Sequence, residues 1–87
     1  MSKDKNAAKK LESGSLNNKS FDVLLSLTSI RSEPLKAALR DYYVKGLSKS
    51  EAYTKHAVDK TIFSRRLPVL QEVFDKVLAF NRVYENK

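Results

Sequence analysis

LSKSEAYTKHAVDKTIFSRRL, residues Leu47 to Leu67, contains two helix starts separated by a break short enough to be a tight turn. Gly46 stands just ahead of it and can take the left-handed backbone conformation that ends a helix at little steric cost. Ser48 then caps a new helix. Glu51, three residues on, completes an S-x-x-E capping box in which two orphan amides are satisfied reciprocally. This first helix is about two turns long by the usual helical rise. With Val58 as the apolar residue of the turn, Ala52 and His56 face inward from the first helix, and Phe63 and Leu67 face inward from the second. Ala57 occupies the tight corner where a glycine is often found, and the Asp59 carboxylate caps the second helix. The spacing predicts a helix-turn-helix over residues 48–67.

Burial of Phe63 and Leu67 leaves Lys60, Thr61, Ser64 and Arg65 on the opposite face, with Arg66 toward its edge and Lys49 at the start of the first helix. In helix-turn-helix docking the N-terminal part of the second helix enters the major groove while the first helix crosses the backbone. Arginine can bond guanine in a bidentate way, and lysine or hydroxyl groups can reach phosphates or base edges. Either arginine serves equally well as a phosphate clamp. The competing reading is that these charges only solvate one face of an amphipathic helix.

At 87 residues the chain suits one small domain, and its formal net charge of +7 is unevenly spread. Residues 1–20 carry five lysines against two acids, and residues 60–67 carry Lys60, Arg65 and Arg66 with no acid. A positive field concentrated in this way favours a polyanionic partner. Double-stranded DNA is preferred over a membrane, because no segment joins a basic face to the large apolar face of an interfacial helix. The lysine-rich start is not followed by an apolar run and no stretch is long enough to span a bilayer, so neither a signal peptide nor a membrane anchor is expected. The absence of cysteine excludes disulfides and thiolate metal sites and is compatible with a reducing compartment. A cytoplasmic, nucleoid-associated location is expected.

No enzyme chemistry is legible. His56 is the one histidine, and its register points it inward as a packed residue rather than a general base. A lone histidine with scattered carboxylates has no metal-site spacing, and Gly14 and Gly46 form no nucleotide-binding pattern. Neither a cofactor nor a small-molecule substrate is expected.

Residues 1–19 are polar and lysine-rich, with little apolar periodicity, and read as a flexible basic arm ahead of a helical domain over 20–87. Two roles stay open for the arm: a solubilising tail, or an auxiliary contact to phosphates or the minor groove. Ser20 caps a short helix carrying Phe21, Leu24, Leu25 and Thr28 on one stripe, ending near Ser29. Ser32 caps another, with Pro34 in its first turn and Leu35, Ala38, Leu39 and Tyr42 on one face, closing at Gly46. Pro68 should end or kink the second helix of the motif. A last helix then runs over 69–84. The expected fold class is all-α: a small bundle of about five helices containing a helix-turn-helix and no wing, since no alternating strand pair follows the motif.

The last helix carries a broad apolar band: Leu70, Val73, Phe74, Val77, Leu78 and Phe80, extended by Tyr84. It either wraps across the other helices or forms a homo-oligomer interface, since an apolar face left in water is an interaction site.

With those residues in place, the chain resembles the adhesin-biosynthesis regulators of enterobacteria, the PapB-type proteins encoded with fimbrial operons. The likeness spans roughly residues 24–70 and rests on LLSLTSIRSE, LRDYYVKGLSKSEAYTKHAV and FSRRLPVL. The resemblance implies an all-helical bacterial transcription regulator of fimbrial gene expression, binding AT-rich sites near promoters as multiple adjacent subunits. It carries no target sequence, because Lys60, Thr61, Arg65 and Arg66 lie where members differ. The alternative function is a helical protein-interaction adaptor without specific DNA binding.

Overall fold

The computed structural model describes residues 10–85. They form four helices: α1 (Asn18–Ser26), α2 (Glu33–Tyr43), α3 (Lys49–Lys55) and α4 (Lys60–Glu85). Among the described residues there is no strand.

Each helix start follows local side-chain chemistry. Ser32 Oγ accepts from the Leu35 amide with Pro34 in the first turn of α2, and Ser48 and Glu51 close the reciprocal capping box of α3. α1 begins earlier than Ser20, because Asn17 is the residue that caps it, accepting from the Ser20 amide at 2.8 Å. It also ends earlier than Ser29, at Ser26, where the Leu27 amide turns back to the carbonyls of Leu24 and Leu25.

Phe21 and Leu24 of α1, Leu35, Ala38, Leu39 and Tyr43 of α2, Ala52 of α3, and Phe63 and Leu70 of α4 make the core. α1 is tied to α2 by Arg40. Its guanidinium donates to Asn18 Oδ1 at 2.8 Å and Asp22 Oδ1 at 2.7 Å, and lies 4.9 Å from the Phe21 ring centroid.

Three further expectations are corrected. The first concerns Pro68, which lies inside α4 rather than at a helix end, so the bundle has four helices and not five. A proline in a helix interior costs about 3 kcal/mol through the lost hydrogen bond and the ring clash. Phe63 and Leu70 are 0% and 1% exposed on either side of it. Burying each contributes roughly 1.5–3 kcal/mol, and a continuous helix allows both at once. Ser64, whose carbonyl loses its partner, is exposed, so water can take the place of the missing amide.

The second correction concerns the arm. Residues 1–9 lie outside the described residues, but residues 10–17 pack as a strap across the C-terminal end of α2 and the middle of α4. The Gly14 amide donates to Tyr42 O at 2.8 Å, the Leu16 amide to Tyr43 O at 2.9 Å, and the Leu11 amide to Gln71 Oε1 at 2.7 Å. Ser13 Oγ donates to Leu47 O at 2.9 Å. Gly14 and Gly46, both at positive φ, meet here. A Cβ on Gly14 would lie 3.3 Å from the Gly46 Cα. The strap thus covers the carbonyls that α2 leaves unpaired at its C-terminus.

Leu70 is also removed from the expected subunit interface, since its side chain is wholly inside the chain's own core. Val73, Phe74 and Val77 are partly buried against that core, and Leu78 is half-buried. Beyond them Phe80, Val83 and Tyr84 are 65%, 70% and 65% exposed, with Phe80 and Tyr84 stacked at 5.8 Å.

Candidate nucleic-acid interface

α3 and the start of α4 are joined by His56, Ala57, Val58 and Asp59. Ala57 sits at φ +54, the left-handed corner that the sequence places there without a glycine. The turn is closed by the Val58 amide on Tyr53 O at 2.8 Å and the Ala57 amide on Thr54 O at 3.1 Å. Asp59 Oδ1 accepts from the amides of Thr61 at 2.8 Å and Ile62 at 3.1 Å, capping α4.

The orientation of α4 is set from below by aromatic packing. The Phe63 ring meets Tyr42 edge-on, 6.1 Å between centroids and 86° between planes, and Tyr53 at 5.7 Å and 58°. One ring therefore receives contacts from both α2 and α3. With Phe63 held inward, Lys60, Thr61, Ser64, Arg65 and Arg66 are exposed, as is Lys49 at the start of α3.

Lys36, Arg40, Lys45, Lys55 and Lys76 are paired with carboxylates. Among the described residues, no carboxylate pairs with Lys49, Lys60, Arg65 or Arg66. Lys10, Lys19, Arg31 and Arg82 are likewise unpaired among the described residues, so pairing alone does not set the α3–α4 face apart; what does is that Lys60, Arg65 and Arg66 stand together on the start of α4 with no acidic residue between them. Such a local run of unpaired cations suits a polyanionic partner.

Sequence reasoning missed two contributors. Ile62 is 50% exposed on the first turn of α4, beside the cations. A β-branched apolar side chain left in water at that position was the available signal. Asp41 is the other. It is 4% exposed and lies under α3, with its Oδ2 accepting from His56 Nε2 at 2.7 Å and facing Lys55 Nζ at 3.4 Å. Lys45 Nζ is 3.7 Å from Oδ1. The inward register of His56 therefore leads to an ion-pair cluster rather than apolar packing. Burial acts to raise the Asp41 pKa, but the hydrogen bonds from His56 and Lys55 and the charges of Lys55 and Lys45 outweigh it, so the carboxyl titrates below its ordinary 3.8.

Asp41→Asn should cost about 2 kcal/mol at neutral pH, because charge-assisted hydrogen bonds to a buried carboxylate are lost. A domain of this size would then melt roughly 10 °C lower. A folded-state pKa that is depressed stabilises the fold fully above the unfolded value, and that stabilisation fades as pH falls below 3.8 through the folded value. The gap in melting temperature between wild type and variant should therefore close in acid.

Residues 1–84 match the PapB family, described as adhesin biosynthesis transcription regulatory protein. The chain is 32% identical over 63 residues to the regulatory protein FanB of Escherichia coli, covering 72% of this chain and 64% of that protein. It is 36% identical over 67 residues to the AFA-III adhesin operon regulatory protein of Escherichia coli, covering 77% of this chain and 66% of that protein. The chain thus spans just under two thirds of the length of these relatives. The crystal structure of E. coli FocB superposes with a TM-score of 0.80 at 29% identity, covering 86% of this chain and 85% of that one.

Proposed function

We propose that this chain, which belongs to the PapB family of adhesin biosynthesis transcription regulatory proteins, controls an adhesin or fimbrial operon by binding double-stranded DNA. The DNA-binding unit is a helix-turn-helix made of α3, the turn 56–59 and the first turns of α4, without a wing. The chain works in the bacterial cytoplasm on the nucleoid, as a regulator and not an enzyme, in keeping with the regulatory names of its relatives. The observation that carries this reading is the cluster of exposed, unpaired cations, Lys60, Arg65 and Arg66 with Lys49, on that unit.

The N-terminal turns of α4 enter the major groove and Lys49 meets the backbone from α3. Arg65 and Thr61 reach base edges, with Lys60, Ser64 and Arg66 shared between base edges and phosphates. Ile62 supplies an apolar surface for a thymine methyl, which suits AT-rich promoter-proximal sites. The log of affinity should fall with the log of salt by about 0.9 per phosphate neutralised. A mobility-shift assay on fimbrial promoter DNA tests the reading. A specific band that survives competitor DNA at moderate salt is expected, and its absence would assign the chain to the protein-interaction adaptors instead.

Several subunits bind together through the far end of α4. Phe80 and Tyr84 stack on each other in the open, and Val23 of α1 is 54% exposed beside the groove formed with Phe74, Val77 and Leu78. Sedimentation should show a concentration-dependent oligomer that Phe80→Asp disperses. A species that stays monomeric at high concentration, with and without DNA, would reject the assembly.

A further inference from the structure

The strap 10–17 sets down its first described residue next to the DNA-facing helices. Lys10 and Leu11 share one shallow surface depression with Tyr42, Lys49, Ser64 and Pro68, and no acidic residue lines it. Among its polar lining residues, three come from separate segments: Lys10 from the strap, Lys49 from α3 and Ser64 from α4. Lys10 is exposed and, among the described residues, is paired with no carboxylate; the same holds for Lys49. The backbone beside Lys10 is held in place by the Leu11 amide on Gln71 Oε1 at 2.7 Å and, farther on, by the Gly14 amide on Tyr42 O at 2.8 Å.

We propose that Lys10, with Lys49 and the Ser64 hydroxyl, forms a clamp for a DNA backbone phosphate at the edge of the groove entered by α4. The inference rests on the DNA-binding reading above and extends it to a residue outside the helix-turn-helix. Two ammonium groups and a hydroxyl with no competing carboxylate match the charge and the acceptor oxygens of a phosphodiester. A phosphate contact positions the protein without reading sequence, so the clamp raises affinity for any duplex and sets the register of α4. It also gives the strap a second function besides covering the end of α2, because the docked backbone keeps Lys10 in the same depression as Lys49.

The test is fluorescence anisotropy on the full chain, with a labelled fimbrial promoter duplex and a scrambled duplex of the same composition, over a series of salt concentrations. Lys10→Gln should lower the log–log salt slope by about 0.9 and weaken binding on the order of fivefold at moderate salt, equally on both duplexes. Its melting temperature should match wild type, and Lys10→Arg should restore both slope and affinity. Unchanged slope and affinity in Lys10→Gln, while the wild-type chain binds, would overturn the clamp alone. A wild-type chain that binds neither duplex would overturn the DNA-binding reading and the clamp together.

Discussion

Phe63→Ala should leave the chain largely unfolded, with a loss of about 3–5 kcal/mol. The side chain is fully buried and its ring is in contact with Tyr42 of α2 and Tyr53 of α3. Deletion removes the transfer free energy of the ring and leaves a cavity at the junction of three helices. A small domain has only about 5–15 kcal/mol of total stability, so a loss of this size takes a large part of it. Circular dichroism should show a broad transition tens of degrees lower. Phe63→Leu, which keeps most of the apolar volume, should retain a cooperative melt. If Phe63→Ala melts within a few degrees of wild type, the aromatic junction does not hold α4 in place.

Arg65→Ala should have the largest effect on DNA. Arg65 lies on the exposed side of α4, two residues beyond the buried Phe63, and no described carboxylate pairs with it. Removing a bidentate base contact costs about 1–3 kcal/mol, a loss of roughly 5- to 150-fold in affinity. The pattern of the loss separates its possible roles. If Arg65 reads a base, the promoter site weakens more than scrambled DNA. If it clamps a phosphate, both weaken alike and the salt slope falls by about 0.9. The exposed side chain contributes little to the fold, so the melting temperature should stay near wild type. Unchanged affinity and unchanged preference would remove Arg65 from the interface.

What was legible in the sequence was local. The Ser48–Glu51 capping box, the Ser32 cap with Pro34 behind it, the Asp59 cap and the corner at Ala57 each depend on neighbours within a few residues, and each appears in the structure. The exposed face of α4 followed from one assumption, that Phe63 points inward. The features that escaped depend on partners far along the chain. Pro68 obeys a local rule that favours a break, but tertiary burial of Phe63 and Leu70 outweighs it. The apolar band of the last helix has one period throughout, so its spacing could not separate Leu70, which faces the core, from Phe80, which faces solvent. The strap is held by backbone amides and by the contact of Gly14 with Gly46, neither of which leaves an apolar pattern. Asp41 reads as a polar residue on a helix until the fold brings His56 and Lys55 to it.

These distinctions bear on the interface. The proposed DNA-binding face is local, whereas the parts beneath it are not: the aromatic junction beneath α4, the Asp41 cluster beneath α3 and the strap beside both. Variation on the face should change affinity or preference with little effect on folding. Variation in the supports should change folding first.

Amide chemical-shift mapping of the full chain, titrated with a fimbrial promoter duplex, tests the central claim most directly. The largest shifts should fall on Lys49 and Ser50 and on residues 59–66, with a smaller set at Lys10 and Leu11. Shifts confined to α1 and the far end of α4, with residues 59–66 unmoved, would contradict it.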